Sequence, residues 1–413
     1  MLSTLTDYWI GLKMFQQESK KKKRSWLWLS LLINLGVLSF FKYYNFFIDS
    51  FQIVLNGFGF QPDFFHLEIL LPVGISFYTF QTLSYTIDIY RGRLKPTNDF
   101  PQFALFVSFF PQLVAGPIER ARDLLPQIAN LNKASKLQIE SGINLIVLGL
   151  FKKVMIGDTA GRYADHIFSD VGAYPSFELI TALLLFTIQI YADFSGYSHI
   201  ARGVAKLLGV ELMKNFNQPY LSRNITEFWR RWHISLSSWL RDYVYISLGG
   251  NRRGKRRTYV NLMLTMLIGG LWHGASWNFV IWGGLHGIYL AIHKMILNNK
   301  KENYENLQFS KQNIIPFVTN VALTFFLVSF TWLFFRVNSI NEIVLFFSKI
   351  IHWESTQFVW QYLKVGLSFF TVIMLFQIFE YQTGMHAFTL KIQNKAVRYG
   401  LLSEMFFLSI VYI

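Results

Sequence analysis

The chain contains no cysteine. That excludes disulfides, a thiolate nucleophile and cysteine-ligated metals together. Charge is also scarce. Only 15% of the 413 residues are Asp, Glu, Lys or Arg, against about a quarter in ordinary soluble domains. Catalytic signatures are missing as well: no GxSxG elbow, P-loop or GxGxxG fingerprint stands in a suitable strand–helix context. A covalent acyl-enzyme route therefore has no nucleophile motif behind it. There is no low-complexity linker and no evident internal repeat.

What is present is apolar. Hydrophobic residues make up 52% of the chain and aromatic residues 18%, with a mean hydropathy of +0.30. Runs of roughly 20 apolar residues, enough to cross about 30 Å of hydrocarbon, lie at Trp26–Ile48, Phe177–Tyr197, Ile314–Phe335 and Phe358–Phe379. Shorter or interrupted runs lie at Ile69–Tyr90, Phe103–Ile118, Gly142–Ile156, Tyr259–Trp272, Trp277–Ile296 and Leu401–Ile413. Together they predict an all-α polytopic membrane protein with about ten embedded helices or half-helices. Residues 1–413 read as one membrane domain, with Arg120–Ser141 and Asn298–Asn313 as polar loops. The first apolar run follows Lys20–Arg24 without a small-residue cleavage site, so it reads as a membrane helix rather than a signal peptide.

The formal net charge is +15. Its clusters, Lys20–Arg24, Arg91 to Lys95 and the NRRGKRR run ending at Arg257, adjoin apolar segments. They read as cytoplasmic loops attracted to anionic lipid, not as a nucleic-acid surface, because no zinc-finger, RRM or helix-turn-helix pattern accompanies them. If Lys20–Arg24 is cytoplasmic, the Arg252–Arg257 loop is too. Tyr259–Trp272 then enters with 14 residues, roughly 21 Å and short of a crossing. It meets a break at GGLWHGASW, residues 269–277. Irregular backbone at that depth needs burial in protein or a water-reached cavity.

Two histidines attract attention. His273 lies in this break, where Gly269, Gly270 and Gly274 leave room for a ligand or for backbone. Ionisable residues inside a membrane are costly and usually functional. His233 lies in NITEFWRRWHISLSSWLRDYVYISLGGN, residues 224–251. That stretch predicts one amphipathic helix, with an Asn224/Glu227 capping box and a Gly249-Gly250 stop. His233 would fall in its apolar sector, either bonded to a carbonyl or directed into a site. Arg230 and Arg231 would face the opposite side, toward headgroups or a phosphate. Trp232, Ser237, Trp272 and Asn278 flank the histidines and join the arginines as candidate substrate contacts. His286 and His293 share a helix face, but no HExxH or added carboxylate supports a metal, and no metal site is expected. An imidazole in a polar intramembrane cavity suits general-base catalysis.

The strings LPVGISFYTFQTLSYTIDIYRG (71–92), FPQLVAGPIER (110–120), YADFSGYS (191–198), 215–252 and GGLWHGASWNFVIWGGLHG (269–287) resemble the membrane-bound O-acyltransferase family, in particular its alginate O-acetyltransferase-like branch. The resemblance is dense from Leu71 to Gly287. It implies helices around a central funnel and tunnel, and two functional histidines that map onto His233 and His273, the second catalytic. It further implies transfer of an acetyl group from a cytoplasmic thioester, acetyl-CoA or another acyl thioester, with no resident cofactor. The acceptor would be a hydroxyl of an exported polysaccharide such as alginate, reached directly or through a partner SGNH-type acetyltransferase. The setting implied is the bacterial plasma membrane. Such proteins begin with a further hydrophobic region, so terminal helices of the full fold are expected to be missing here. His199 stands where relatives carry an acidic residue and receives no role. Two other readings remain: D-alanyl transfer to teichoic acid from a carrier protein, and a glycan or lipid transporter, for which the repeated halves common in transporters are not seen.

Overall fold

The computed structural model describes residues 2–412 except 63, 69, 71, 73, 114, 298–313 and 354–358. Among these, all regular structure is helical. Five stretches are long and apolar enough to cross a bilayer: Lys20–Gly57, Ser176–Leu207, Trp277–Ile296, Ile314–Arg336 and Tyr362–Thr383. The chain is a multi-pass membrane protein. Its packing separates into two compact units, the first comprising Met1–Lys133 with Trp272–Ser276 and the second Ala134–Leu271 with Trp277–Ile413.

In the first unit, α1 (Leu2–Phe15) precedes α2 (Lys20–Leu38), which passes through a wide turn at Ser39–Tyr43 into α3 (Tyr44–Gly57). Then come α4 (Ile75–Tyr90), α5 (Phe100–Ser108) and α6 (Ala121–Ala129). The helices α1, α2 and α4 pack around a buried carboxylate. Ser30 Oγ donates to Asp7 Oδ1 at 2.6 Å and Asn34 Nδ2 to Asp7 Oδ2 at 2.7 Å, while Thr82 Oγ1 reaches Asn34 Oδ1 at 3.1 Å. Each oxygen of Asp7 thus has a donor, which burial requires.

The second unit holds α7 (Lys136–Leu150), a wide-turn segment at Phe151–Asp158, α8 (Thr159–Phe168) and the long α9 (Ser176–Leu207). After a loop come α10 (Ile225–Arg231), α11 (Ile234–Trp239) and a second wide-turn segment, Leu240–Tyr245. The remainder is α12 (Lys255–His273), whose last two residues count with the first unit, then α13 (Trp277–Leu297), α14 (Ile314–Arg336), α15 (Ile340–Ile351), α16 (Val359–Thr383) and α17 (Lys395–Val411). Glycines set the closest approach. Gly142 and Gly149 on α7 face Gly203 and Gly196 on α9, and a Cβ on any of the four would come within 2.6–2.9 Å of the opposing carbonyl oxygen. Two antiparallel helices meet here backbone to backbone, as small residues permit in membranes.

Several expectations are corrected. Arg120–Ser141 is not a loop throughout, since α6 and the first turns of α7 occupy much of it. Ser135 and Gln138 form the reciprocal cap that starts α7. The segment entering the GGLWHGASW break is not 14 residues long. It begins inside the basic run, at Lys255, and α12 counts 19 residues, about 28 Å at 1.5 Å each. The polar side chains at its start kept it out of the apolar count. The stretch Asn298–Asn313 lies outside the described residues.

A buried ion pair ties the second unit together. Lys152 Nζ meets Glu380 Oε1 at 2.6 Å, with the two side chains 0% and 2% exposed, and Gln218 Nε2 touches the other carboxylate oxygen at 3.5 Å. Removing one partner would strand the other charge. Lys152→Met is expected to cost about 3–5 kcal/mol, read as a fall in unfolding temperature in detergent, and Lys152→Met/Glu380→Leu should recover most of it.

Candidate functional site

The segment around His233 is built by its neighbours in the chain and by one loop. Asn224 starts α10, its side-chain oxygen accepting the Glu227 amide at 2.9 Å. Only half of the expected capping box forms. The Glu227 carboxylate accepts instead from Arg223 N and Nε, both at 3.0 Å, and from Arg231 Nε at 3.1 Å. The amphipathic helix predicted over the whole stretch does not exist. It stops at Arg231 because His233 takes a left-handed backbone, φ 42° and ψ 53°, a region that L side chains rarely enter. Arg231 is buried, bonded to Glu227 and to the Asn217 carbonyl at 3.0 Å, so it serves the fold rather than a headgroup. Trp232 is 2% exposed within an aromatic cluster of Tyr191, Phe216, Tyr220, Phe228 and Trp332.

His233 itself is buried. Its Nδ1 lies 3.0 Å from Asn215 Oδ1, and the Phe194 ring stands edge-on at 4.6 Å. Asn215 also receives the two amides that open α11: Ile234 N on its carbonyl at 2.8 Å and Ser235 N on its side chain at 3.3 Å. The break is therefore closed by a residue on the loop after α9. Sequence reasoning passed over Asn215, and the only signal was its place in a string that carried the family resemblance.

Arg230, one residue before, remains exposed. It lines a cleft of about 630 Å³ together with Arg241, Lys294, Ser237, Ser238 and Asn251, among apolar walls. Three cations and several hydroxyl and amide groups around an apolar floor suit a ligand that joins an anionic head to an uncharged arm. Asp242 takes part of Arg241, Nε to Oδ1 at 2.8 Å. Of the predicted contacts, this cleft gathers Arg230 and Ser237; Arg231 and Trp232 are elsewhere.

The other histidine segment belongs to the first unit. The α12 helix ends at His273, and Gly274–Ser276 are not helical, as the sequence suggested. The terminal carbonyl of Trp272 accepts from Lys42 Nζ, which also lies 3.1 Å from Ser76 Oγ and 3.5 Å from the His273 carbonyl. A cation here answers both the orphan carbonyls and the negative end of the helix dipole. Trp272 is buried against Phe77 and Phe80 at 5.3 and 5.7 Å. The His273 ring is half-buried and stands edge-on to Trp272 at 5.0 Å. Lys42 was missed because its neighbours, FFKYYNFF, read as plain membrane helix. A lysine inside such a run was itself the signal.

The glycine reading is corrected in part. A Cβ on Gly270 would collide with the Phe279 carbonyl, and one on Gly283 with that of Met266. Gly270 therefore serves close packing of α12 on α13, not ligand space. Asn278 ties α13 to the end of α14 through a 2.7 Å bond to the Val337 carbonyl. His286 is held inside the fold, its Nδ1 accepting from Trp229 Nε1 at 3.2 Å and its Nε2 lying 2.9 Å from Thr331 Oγ1, and His293 pairs with Thr226 at 2.7 Å. His199 and His386 meet at 3.2 Å beside Arg202. Among the described residues no group of three His, Asp or Glu side chains is arranged to hold a metal.

A profile for the membrane-bound O-acyltransferase family matches residues 91–337. A probable alginate O-acetylase of Pseudomonas syringae is 45% identical over 340 residues, covering 82% of this chain and 63% of the relative. A peptidoglycan O-acetyltransferase of Helicobacter pylori is 37% identical over 82% of this chain and 67% of its own length. A teichoic acid D-alanyltransferase of Streptococcus thermophilus is 30% identical over 62% of this chain and 65% of its own. The chain thus spans about 63% of the length of the Pseudomonas syringae relative.

Lys42→Met removes a charged donor from two helix-end carbonyls, a loss of roughly 1.5–3 kcal/mol for a bond to a charged group. Backbone amides at 272–276 should then exchange with deuterium faster than in the wild type, while those of α7 and α9 stay unchanged.

Proposed function

The chain belongs to the membrane-bound O-acyltransferase family, and from that premise we propose that it transfers an acetyl group from a thioester to a hydroxyl. The donor is acetyl-CoA or a similar acyl thioester presented on the cytoplasmic side. The acceptor is a hydroxyl of an exported polysaccharide such as alginate, reached directly or through a serine of a partner SGNH-type acetyltransferase. The reading includes a bacterial plasma membrane location and about ten embedded elements around a funnel and tunnel.

The observation that carries it is His273 at the open end of α12, half-buried and with its helix end anchored by Lys42. In this reading His273 accepts the hydroxyl proton while the oxygen attacks the thioester carbonyl. The tetrahedral intermediate collapses, the C–S bond breaks, and the thiolate leaves and takes up a proton. His233 orients a reactant. Arg230, Arg241 and Lys294 around the cleft receive the donor's phosphates, Arg as a planar fork and Lys as a point charge. The apolar walls suit the uncharged arm that joins phosphate to thioester.

A second reading, D-alanyl transfer from a carrier protein to teichoic acid, is favoured by the Streptococcus thermophilus relative. The donor separates the two. Membranes containing the protein should transfer label from radiolabelled acetyl-CoA, and not from a D-alanylated carrier protein.

His273→Ala should lower transfer by about 10²–10⁴-fold, the contribution of general-base catalysis, while the protein stays membrane-inserted with wild-type thermal stability. Retained polymer acetylation in that variant overturns the assignment. Arg230→Gln and Arg241→Gln should each raise the KM for acetyl-CoA by roughly two- to fivefold with kcat unchanged, as expected for exposed charges that bind ground and transition states alike. Added salt should reproduce the effect in the wild type.

A further inference from the structure

Asn215 makes four contacts that together set the proton of His233. The Ser235 amide can only donate. The Asn215 side-chain atom 3.3 Å from it is therefore the carbonyl oxygen, Oδ1, and the amide orientation does not depend on guesswork about O and N. The Nδ2 group then points to Ser198 Oγ at 3.2 Å. Ser235 Oγ also donates to Oδ1, at 2.9 Å. The remaining neighbour of Oδ1 is His233 Nδ1 at 3.0 Å. A carbonyl oxygen only accepts, so Nδ1 must carry the hydrogen. In a neutral imidazole the second nitrogen, Nε2, then holds the lone pair.

The arrangement is held firmly. Asn215, Ser198, Ser235 and His233 are each 1% exposed, so water does not replace these bonds, and a buried network of this kind is strengthened by its low dielectric. Ser235 Oγ also lies 3.4 Å from His233 Nδ1, but its contact with Asn215 is shorter by half an ångström. The left-handed backbone at His233 presents the ring to Asn215 and the edge of Phe194 confines it. The same loop residue caps α11, so the ring and the helix start are positioned by one side chain.

We propose that Asn215 is a positioning residue that keeps His233 as the Nδ1–H tautomer, so that Nε2 acts as an acceptor toward a hydroxyl or thiol proton. This rests on the reading of His233 as a participant in acyl transfer. It also narrows that reading: neutral His233 does not donate from Nε2 to a developing oxyanion.

The test uses the full chain labelled with [15N]histidine in detergent micelles, with His233→Gln supplying the assignment among nine histidines. The wild type is expected to show His233 protonated at Nδ1 and unprotonated at Nε2 near neutral pH. Asn215→Leu should lose that preference, and Asn215→Asp, which keeps an acceptor in place, should retain it. An Nε2–H ring in the wild type overturns the proposal whether or not the leucine variant folds. So does an unchanged tautomer in a folded Asn215→Leu protein. The same variants are assayed for transfer from radiolabelled acetyl-CoA. Asn215→Leu should lower kcat roughly 10- to 100-fold, the usual loss when an outer-shell partner of a working histidine is removed, with KM within about twofold, and Asn215→Asp should recover most of it. If His233→Gln transfers at the wild-type rate while the tautomer is as stated, the role of His233 fails, and with it the place of Asn215 in the reaction.

Discussion

Backbone amides and carbonyls at a helix end need partners, and in an apolar surrounding only the protein supplies them. Both histidine segments are shaped by this requirement. At His233 the chain turns left-handed, and the two amides that follow close on Asn215. At His273 the helix ends, and the carbonyls behind it close on Lys42. In each case a polar side chain from a distant part of the sequence stabilises a break that would otherwise be expensive. The break in turn holds an imidazole where a regular helix would not.

The rest of the molecule makes such breaks tolerable by being well satisfied elsewhere. Both oxygens of the Asp7 carboxylate accept from α2, whose Asn34 is in turn bonded by Thr82 of α4, and Lys152 is paired with Glu380 away from water. Close glycine contacts between α7 and α9, and between α12 and α13, bring backbones together so that dispersion rather than area burial holds them.

The charged residues divide along the same line. Arg231 is used up inside the fold by Glu227 and the Asn217 carbonyl, whereas its neighbour Arg230 stays exposed on a cleft with Arg241 and Lys294. The two arginines are adjacent on α10 and so point about 100° apart, and only Arg231 turns toward Glu227 one turn back. The result is a cationic cleft with apolar walls.

Composition and run length alone determined that this is an all-helical, multi-pass membrane chain, because too little charge and too many apolar stretches leave no soluble alternative. The glycine–histidine interruption in GGLWHGASW was legible too, since short-range breaks are written in local residues. The short strings spread from Leu71 to Gly287 also carried the family. What only the tertiary structure decided was everything that depends on a partner far away in the chain. Periodicity made 224–251 one amphipathic helix, whereas the chain turns left-handed at His233 and a loop asparagine takes the two amides that follow. It put Arg231 on the outer face and left Trp232 a candidate contact, and packing buried both. The small residues beside His273 read as room, and at Gly270 α13 fills it. Helical spacing reports the neighbours three and four residues away; it is silent on which side chain beyond that range will take a helix end.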